Sequence, residues 1–515
     1  MHKKAQLIRR RPEVRRTIAG LLSAAAAVFV LGVSPGAQTG AQNQPHDGFY
    51  WLGEQNKASV IMLTEKGIVT KELGRKIATS VTQVIADAAR PGARRAGDYL
   101  VVEADMIKIG GPDITRLHSG RSRQDLGQTT TRLTLREAVL TTFEQFIDAR
   151  ETLLAMAEKH QNALLPFYTH GVQAQPTSLG HYLGGYLEAM TRSSDRYRQA
   201  WARLNMSPLG GAAGGTSSFP VDRARLAELL GFDGVVENSF DSGQIANQDN
   251  GVEWATLAAS GALTVSMLAA DLTDQYSDPH PWFMLEEGEE TGISSIMPQK
   301  RNPSGLERLH LTTSTVIGQA TTYLFQANNV RSGMNDYKSP MPLTATRSLG
   351  SMYNDFNKML KALHFFPERA LQEVNNDYSM TTELADMLQR EHEVPFRVGH
   401  HFASEIVTYG RGKNLKPAEI PYDIAQRLFT QAWKAFGKDN EKLPMSEVQF
   451  RRALTAENMV ESARPVGGPQ KAEVARMLAV EKTRLRADRD WLAATRAKLD
   501  DAARKRDAGV AALLR

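Results

Sequence analysis

The chain has 515 residues, 42% of them apolar and 23% charged, a globular composition long enough for two or three domains with ample core. It has no cysteine, which excludes a disulfide scaffold, thiolate metal sites and a cysteine nucleophile. Residues 1–41 contain seven of the 62 basic residues and one of the 57 acidic ones; the remainder carries 55 against 56, a net charge of −1, so the overall +5 gives no support to a nucleic-acid binder.

The first segment reads as an address. Lys3, Lys4, Arg9, Arg10, Arg11, Arg15 and Arg16 precede an apolar run from Ile18 to Val33, and Thr39-Gly40-Ala41 offers small residues for cleavage. That order predicts a secretory signal peptide over 1–41. The run is shorter than the about 20 residues a bilayer span needs, although an uncleaved anchor is the other reading. Arg15-Arg16 also matches a twin-arginine signal. No later segment reads as a span. The chain is expected to be exported to the periplasm, and the lack of cysteine suits an oxidising compartment.

The body predicts long helices. Leu135, Val139, Phe143, Phe146 and Ile147 step at helical spacing, as do Leu257, Gly261, Val265, Leu268 and Leu272, and Leu306, Leu309, Thr313, Val316, Ala320 and Leu324. No proline falls between Pro220 and Pro279, which leaves room for one helix over most of that distance. Strand alternation is scarce after residue 60. Three or more such helices pack most simply as an elongated bundle, an all-α architecture. From about Gln470 the chain is rich in Ala, Arg, Lys, Leu and Glu and predicts one or two amphipathic surface helices, with interspersed charges that read as a solvated face. The expected division is a signal peptide (1–41), an N-terminal helical domain (42–121), a central bundle (122–375) and a C-terminal helical domain with an extension (376–515). No internal repeat and no low-complexity linker stands out.

Glycine and small residues gather at 110–123, 210–215 and 286–295, breaks between helices where chemistry usually sits. Three constellations lie near them. Ser122-Arg123-Gln124 opens a helix; its hydroxyl, Arg fork and free N–H groups would hold a carboxylate, or else form an ordinary cap with a surface arginine. Tyr168-Thr169-His170, between Pro166 and Gln175-Pro176, reads as an interhelical loop whose histidine either shuttles protons or makes a structural hydrogen bond. Ser294-Ser295-Ile296-Met297-Pro298-Gln299-Lys300-Arg301-Asn302-Pro303 is the richest: a cation and a helix dipole could stabilise a serine alkoxide, and Lys300 could stabilise charge growing on a substrate carboxylate. A polar loop with a proline stop is the plain alternative.

The segment Ser294–Pro303 resembles the loop motif of the fumarase/aspartase superfamily. Within it the chain resembles argininosuccinate lyase from about Met62 to about Leu485. Leu117-His118-Ser119-Gly120-Arg121-Ser122-Arg123-Gln124-Asp125 resembles that family's first motif. Tyr168-Thr169-His170 with Gln173-Ala174-Gln175-Pro176 resembles its second. Pro208-Leu209-Gly210, Phe219-Pro220-Val221-Asp222-Arg223, Leu384-Ala385-Asp386, Val394-Pro395-Phe396-Arg397 and Gly467-Gly468-Pro469 follow in order.

The resemblance implies three mostly helical domains with a long central bundle, and a homotetramer whose active sites each draw one motif from three chains. It implies β-elimination releasing fumarate from a small di- or polycarboxylate, with no metal and no organic cofactor. By position Ser294 is the base, Lys300 and Asn302 hold the succinyl carboxylate and the intermediate, and Ser122, Arg123 and Thr169 bind the same half, with Gln124 and Gln299 beside them. His170, paired with Glu307, is the implied acid.

The departures fall on the leaving-group half. Gln124 stands where the family has Asn, and Met334-Asn335-Asp336-Tyr337-Lys338-Ser339 replaces a run that holds the amino-acid end. The stretch from Trp51 to Ser59 and the segment Asp241–Asp249 are altered too, and Ile293 takes the place of a glycine. An exported lyase for an N-substituted aspartate, such as an aminopolycarboxylate, or for a thioether-linked succinate is therefore expected. Arg331, Asp336, Tyr337 and Lys338 are its leaving-group candidates. A true argininosuccinate lyase and a catalytically silent relative are the alternatives.

Overall fold

The computed structural model describes residues 45–334 and 339–515. The leader at 1–41 and the candidates Asp336, Tyr337 and Lys338 lie outside the described residues.

Helices α1 (Gly48–Glu65), α2 (Lys71–Ala88) and α3 (Tyr99–Gly110) come first. The side chains of Asp47, Thr70 and Asp98 cap them by accepting from Tyr50 N, Leu73 N and Leu100 N. Leu52, Ile61, Ile77, Val81 and Met106 bury their apolar faces in one core. Helix α4 (Arg123–Lys159) then runs 37 residues, carrying the predicted stripe Leu135, Val139, Phe143, Phe146 and Ile147 into a second, larger core.

Between α4 and α5 (Leu179–Leu204) the chain forms an antiparallel hairpin, β1 (Leu164–Thr169) with β2 (Val172–Ser178). The interhelical loop expected around His170 is thus a two-stranded ribbon. Pro166 sits opposite Pro176 in it. Each strand of an isolated ribbon has a free edge, so a proline costs no inner ladder bond, but it hides the strand from a sequence reading. Next come β3 (Met206–Ser207), α6 (Arg223–Leu229), β4 (Gly234–Val235, parallel to β3), α7 (Ser239–Gln244) and α8 (Ala246–Tyr276).

The single helix expected between Pro220 and Pro279 is therefore three. Gly231, at φ 72°, turns the chain after α6, and Asn238 starts α7 by accepting from Phe240 N and Asp241 N. Against the expectation that no later segment is long and apolar enough to span, helix α8 is so by length and composition. Its Trp254, Ala258, Ala262, Val265 and Leu268 are buried in the bundle core.

Strand β5 (Phe283–Leu285), the short ladder of β6 (Gly292–Ile293) with β7 (Arg301–Asn302), helix α9 (Ser304–Ala327), helix α10 (Met341–Ala362) and β8 (Leu363–Phe365, antiparallel to β5) complete the bundle region. Six shorter helices follow: α11 (Pro367–Asn376), α12 (Thr381–His392), α13 (Phe396–Gly412), α14 (Tyr422–Lys434), α15 (Glu447–Ala453) and α16 (Ala456–Ser462). Most of them enclose a third core around Leu388, Phe402, Phe429 and Phe450.

The last helix, α17 (Lys471–Leu514), is a single amphipathic element of 44 residues whose buried face joins two cores. Val474, Leu478, Leu485 and Leu492 join the bundle core, and Val510 joins the N-terminal one. Its polar residues misled the reading because several are buried in pairs. Arg150 of α4, 1% exposed, donates to Asp488 Oδ2 at 2.6 Å and to Thr191 Oγ1 of α5 at 2.5 Å, with Glu481 at 3.8 Å. Arg506 pairs with Glu54 of α1.

Removing one partner of a buried ion pair leaves uncompensated charge, at about 3–5 kcal/mol. Arg150→Ala is expected to lose stability of that order in urea titration, and an unchanged midpoint would show that α17 does not depend on the network.

Candidate active site

Ser122 is the N-cap of α4 and the first member of a capping box. Its Oγ accepts from Gln124 N at 3.2 Å, and Asp125 Oδ1 accepts from Ser122 N at 2.8 Å. Arg123 is exposed and lies 3.4 Å from Asp98. Gln124 donates its side-chain amide to the carbonyl of Gly243 in α7. Asp125 is fully buried. Burial pushes its carboxyl up from the ordinary range, against the opposing pull of the N–H groups it accepts from.

Thr169 and Val172 are paired across the tip of the hairpin, leaving His170 and Gly171 as the two turn residues. Both have positive φ, 55° and 73°, which a two-residue turn of this twist requires. The turn holds Thr169 and His170 outward, exposed. Behind the tip, Tyr168 stacks parallel to Trp282 with ring centroids 6.4 Å apart, and burial lifts its hydroxyl to about 12. Gln173 donates to Ser379 Oγ at 3.0 Å and Val374 O at 3.3 Å, tying the hairpin to the C-terminal helices. A cleft of about 880 Å³ opens beside it, lined by Tyr168, Gly171, Tyr182, Asp271 and Trp282 among others. Tyr182 and Tyr186 both donate to Asp271 Oδ2, at 2.6 and 2.8 Å.

The third segment is a loop closed at its base. Gly292 pairs with Asn302 and Ile293 with Arg301, so residues 294–300 project as a unit. Ser294 Oγ accepts from Met297 N at 3.1 Å, with Ile296 N at 3.5 Å. Outside the ladder, Arg301 Nε donates to Glu287 at 2.7 Å, and Glu290, 6% exposed, pairs with Arg308 on α9. Gln299 and Lys300 are exposed beyond this base, as is Glu307 in the first turn of α9. Asn302 is half-buried in β7.

The structure thus gathers the predicted residues into three groups on three supports. Among the described residues, no hydrogen bond or ion pair joins one group to another. Among the described residues, the side chains of His170, Glu307, Gln299 and Lys300 have no such partner, and the expected His170–Glu307 pair does not form within one chain. Sequence reading missed what supports the groups: the buried Asp125, the Glu290–Arg308 pair and the Tyr182–Asp271–Tyr186 cluster. Only the first left a legible signal, an acid three residues after a capping serine.

Comparison with known proteins bears on this arrangement. Residues 69–318 match a lyase family, and residues 378–461 match an argininosuccinate lyase C-terminal family. The argininosuccinate lyase of Methanosarcina mazei is 30% identical over 450 residues, 86% of this chain and 89% of the relative. Argininosuccinate lyase 2 of Agrobacterium fabrum is 32% identical over 445 residues, covering 84% and 85%. Among solved structures, an EDDS lyase variant with bound fumarate superposes with a TM-score of 0.83 at 30% identity, over 91% of this chain and 92% of the other. A class II fumarase from Schistosoma mansoni, at 16% identity and a TM-score of 0.58, shares the fold.

Glu290→Gln removes the charge that holds Arg308 at the loop base. Amides from Thr291 to Asn302 are expected to exchange with deuterium about tenfold faster, equivalent to about 1.4 kcal/mol of local opening. Unchanged exchange would show that the ladder alone holds the loop.

Proposed function

Because this chain belongs to the argininosuccinate lyase family of the fumarase/aspartase superfamily and is a fumarate-releasing lyase, we propose that its substrate is an N-substituted aspartate other than argininosuccinate. The hydrogen bond from Met297 N to Ser294 Oγ carries the mechanism. A serine hydroxyl is a weak base, and an N–H aimed at its oxygen favours the alkoxide over the neutral form. Ser294 then takes the proton from the carbon next to the carboxylate. The electron pair moves into that carboxylate, whose growing double charge Lys300 and Asn302 stabilise. The C–N bond on the neighbouring carbon breaks, fumarate forms, and the departing amine receives a proton from His170. Ser122, Arg123, Thr169 and Gln299 hold the succinyl half.

Among the described residues, no hydrogen bond or ion pair joins the three groups to one another, which supports sites assembled between chains of a homotetramer. The bundle supports the same reading: Leu263 and Met267 on α8 and Leu311 and Phe325 on α9 are 53–78% exposed, more apolar surface than a lone soluble bundle ordinarily leaves in water.

Gln124 supports the change of substrate. Its side chain is one methylene longer than the Asn expected at this position, and its amide is bonded to Gly243 O. A group engaged with backbone in this way is less available to an arginine moiety. The similarity to an EDDS lyase supports a leaving group outside arginine biosynthesis. The basic and apolar leader supports export, with an oxidising compartment as the place of work. The second reading, argininosuccinate itself, draws on the 30–32% identity to argininosuccinate lyases.

Absorbance near 240 nm, followed with argininosuccinate, N-substituted aspartates bearing further carboxylates, and carboxymethylthio-succinate, separates the readings. Turnover of the N-substituted aspartates without argininosuccinate is the expected result. Turnover of argininosuccinate alone would restore the second reading, and turnover of the thioether alone would move the scissile bond to C–S. Ser294→Ala should lower kcat by about 10²–10⁴-fold, and an unchanged kcat would remove Ser294 as the base.

A further inference from the structure

The first motif, the glycine cluster and α7 are far apart in sequence, yet they meet at one buried carboxylate. Asp125 has no exposed surface. One oxygen accepts from Ser122 N at 2.8 Å; the other accepts from Gly210 N at 2.8 Å and Ala212 N at 3.0 Å. The glycine loop is bent to deliver those two N–H groups: Gly210 and Ala212 have φ of 83° and 52°. A Cβ on Gly211 would lie 2.6 Å from Ser242 Oγ of α7. Helix α7 holds the loop from its other side, through Ser239 Oγ to Gly214 O and Gln244 Nε2 to Ala213 O, both 2.9 Å. Gln124 closes the circuit at Gly243 O.

Among the described residues no cationic side chain hydrogen-bonds Asp125. The nearby cations are bonded elsewhere: Arg121 to Asn56 Oδ1 and Ser59 Oγ, and Arg223 on α6 to the carbonyls of Leu209, Val236 and Glu237. A carboxylate buried without a bonded cation is costly, and an exposed one would cap α4 equally well. The extra that burial provides is a joint: one group fixes Ser122 against a glycine loop from elsewhere in the chain.

We propose that Asp125 is a positioning residue that presets Ser122 for the succinyl half of the substrate. The proposal rests on the lyase reading above. Ser294, on a separate support, is untouched by it. The joint therefore governs binding more than the chemical step.

Asp125→Asn tests this. Three N–H groups converge on the carboxylate, and an amide must turn its own NH₂ toward at least one of them. Fumarate affinity, by titration calorimetry, is expected to fall at least about tenfold. KM is expected to rise more than kcat falls, with far-UV circular dichroism and assembly mass unchanged. A folded variant with wild-type fumarate affinity, or one losing kcat alone, overturns the proposal. If Asp125→Asn does not fold, Gln244→Ala, which removes only the half-exposed tie to Ala213 O, is expected to weaken fumarate binding about two- to fivefold. Unchanged affinity there overturns the proposal equally. A wild-type chain that binds fumarate but turns over no offered succinate refutes the substrate reading alone, since the fumarate titration still judges Asp125. A wild-type chain that binds no fumarate refutes both.

Discussion

Three buried guanidinium groups on helix α4 set the frame on which the rest is registered. Arg132 donates to the carbonyls of Arg203 and Leu204 at the end of α5 and to Asn247 Oδ1 at the start of α8. Arg136 reaches Asn205 Oδ1 and Leu230 O. Arg150 holds α17 through Asp488. Burial draws Arg132 down to about 10 and Arg136 to about 9, which leaves both charged at neutral pH. Each meets carbonyls that a helix end or loop leaves without a partner, so the desolvation of the cation and the orphaned acceptors offset one another. One helix thereby fixes where α5 ends, where α8 begins and where α17 lies. The first motif sits at that helix's own N-terminus, so its position is inherited from the same frame.

This division explains what could be read from the sequence. Apolar stripes at 3.6 spacing are visible wherever a helix buries an aliphatic face, and α4, α8 and α9 carry the stripes expected of them, except that Leu324 near the end of α9 is exposed. Helix α17 was misjudged because its buried side includes Glu481, Asp488 and Arg506, and burial of a paired ion leaves no hydrophobic signal. The hairpin that carries His170 was hidden by prolines in both strands. Gly231, at positive φ, and Asn238, an N-cap, end and restart helices by turn chemistry that the absence of proline does not override.

Site residues were legible as types and in order, but not as contacts. Serine, lysine and histidine in the right motifs indicate which chemistry is available. Their meeting depends on supports whose own residues are ordinary. Glu290 is one more glutamate in an acidic stretch until Arg308 is found against it. Asp125 is the acid of a capping box until Gly210 and Ala212 are found on its other oxygen. Sequence spacing reports the near partner of a polar group and is silent about the distant one.

The polar groups of the protomer fall into two populations. Those that hold the frame are paired: Arg132, Arg136, Arg150, Glu290 and Asp125 each have named partners. Those proposed for chemistry, His170, Lys300, Gln299 and Glu307, are exposed and have no hydrogen-bond or ion-pair partner among the described residues. Gln124 lies between the populations. It lies in the first motif with its side-chain amide bonded to Gly243 O, so this motif residue also ties α4 to α7. The loop of residues 294–300 hangs from Glu287 and Glu290 and, among the described residues, shares none of the contacts around Asp125.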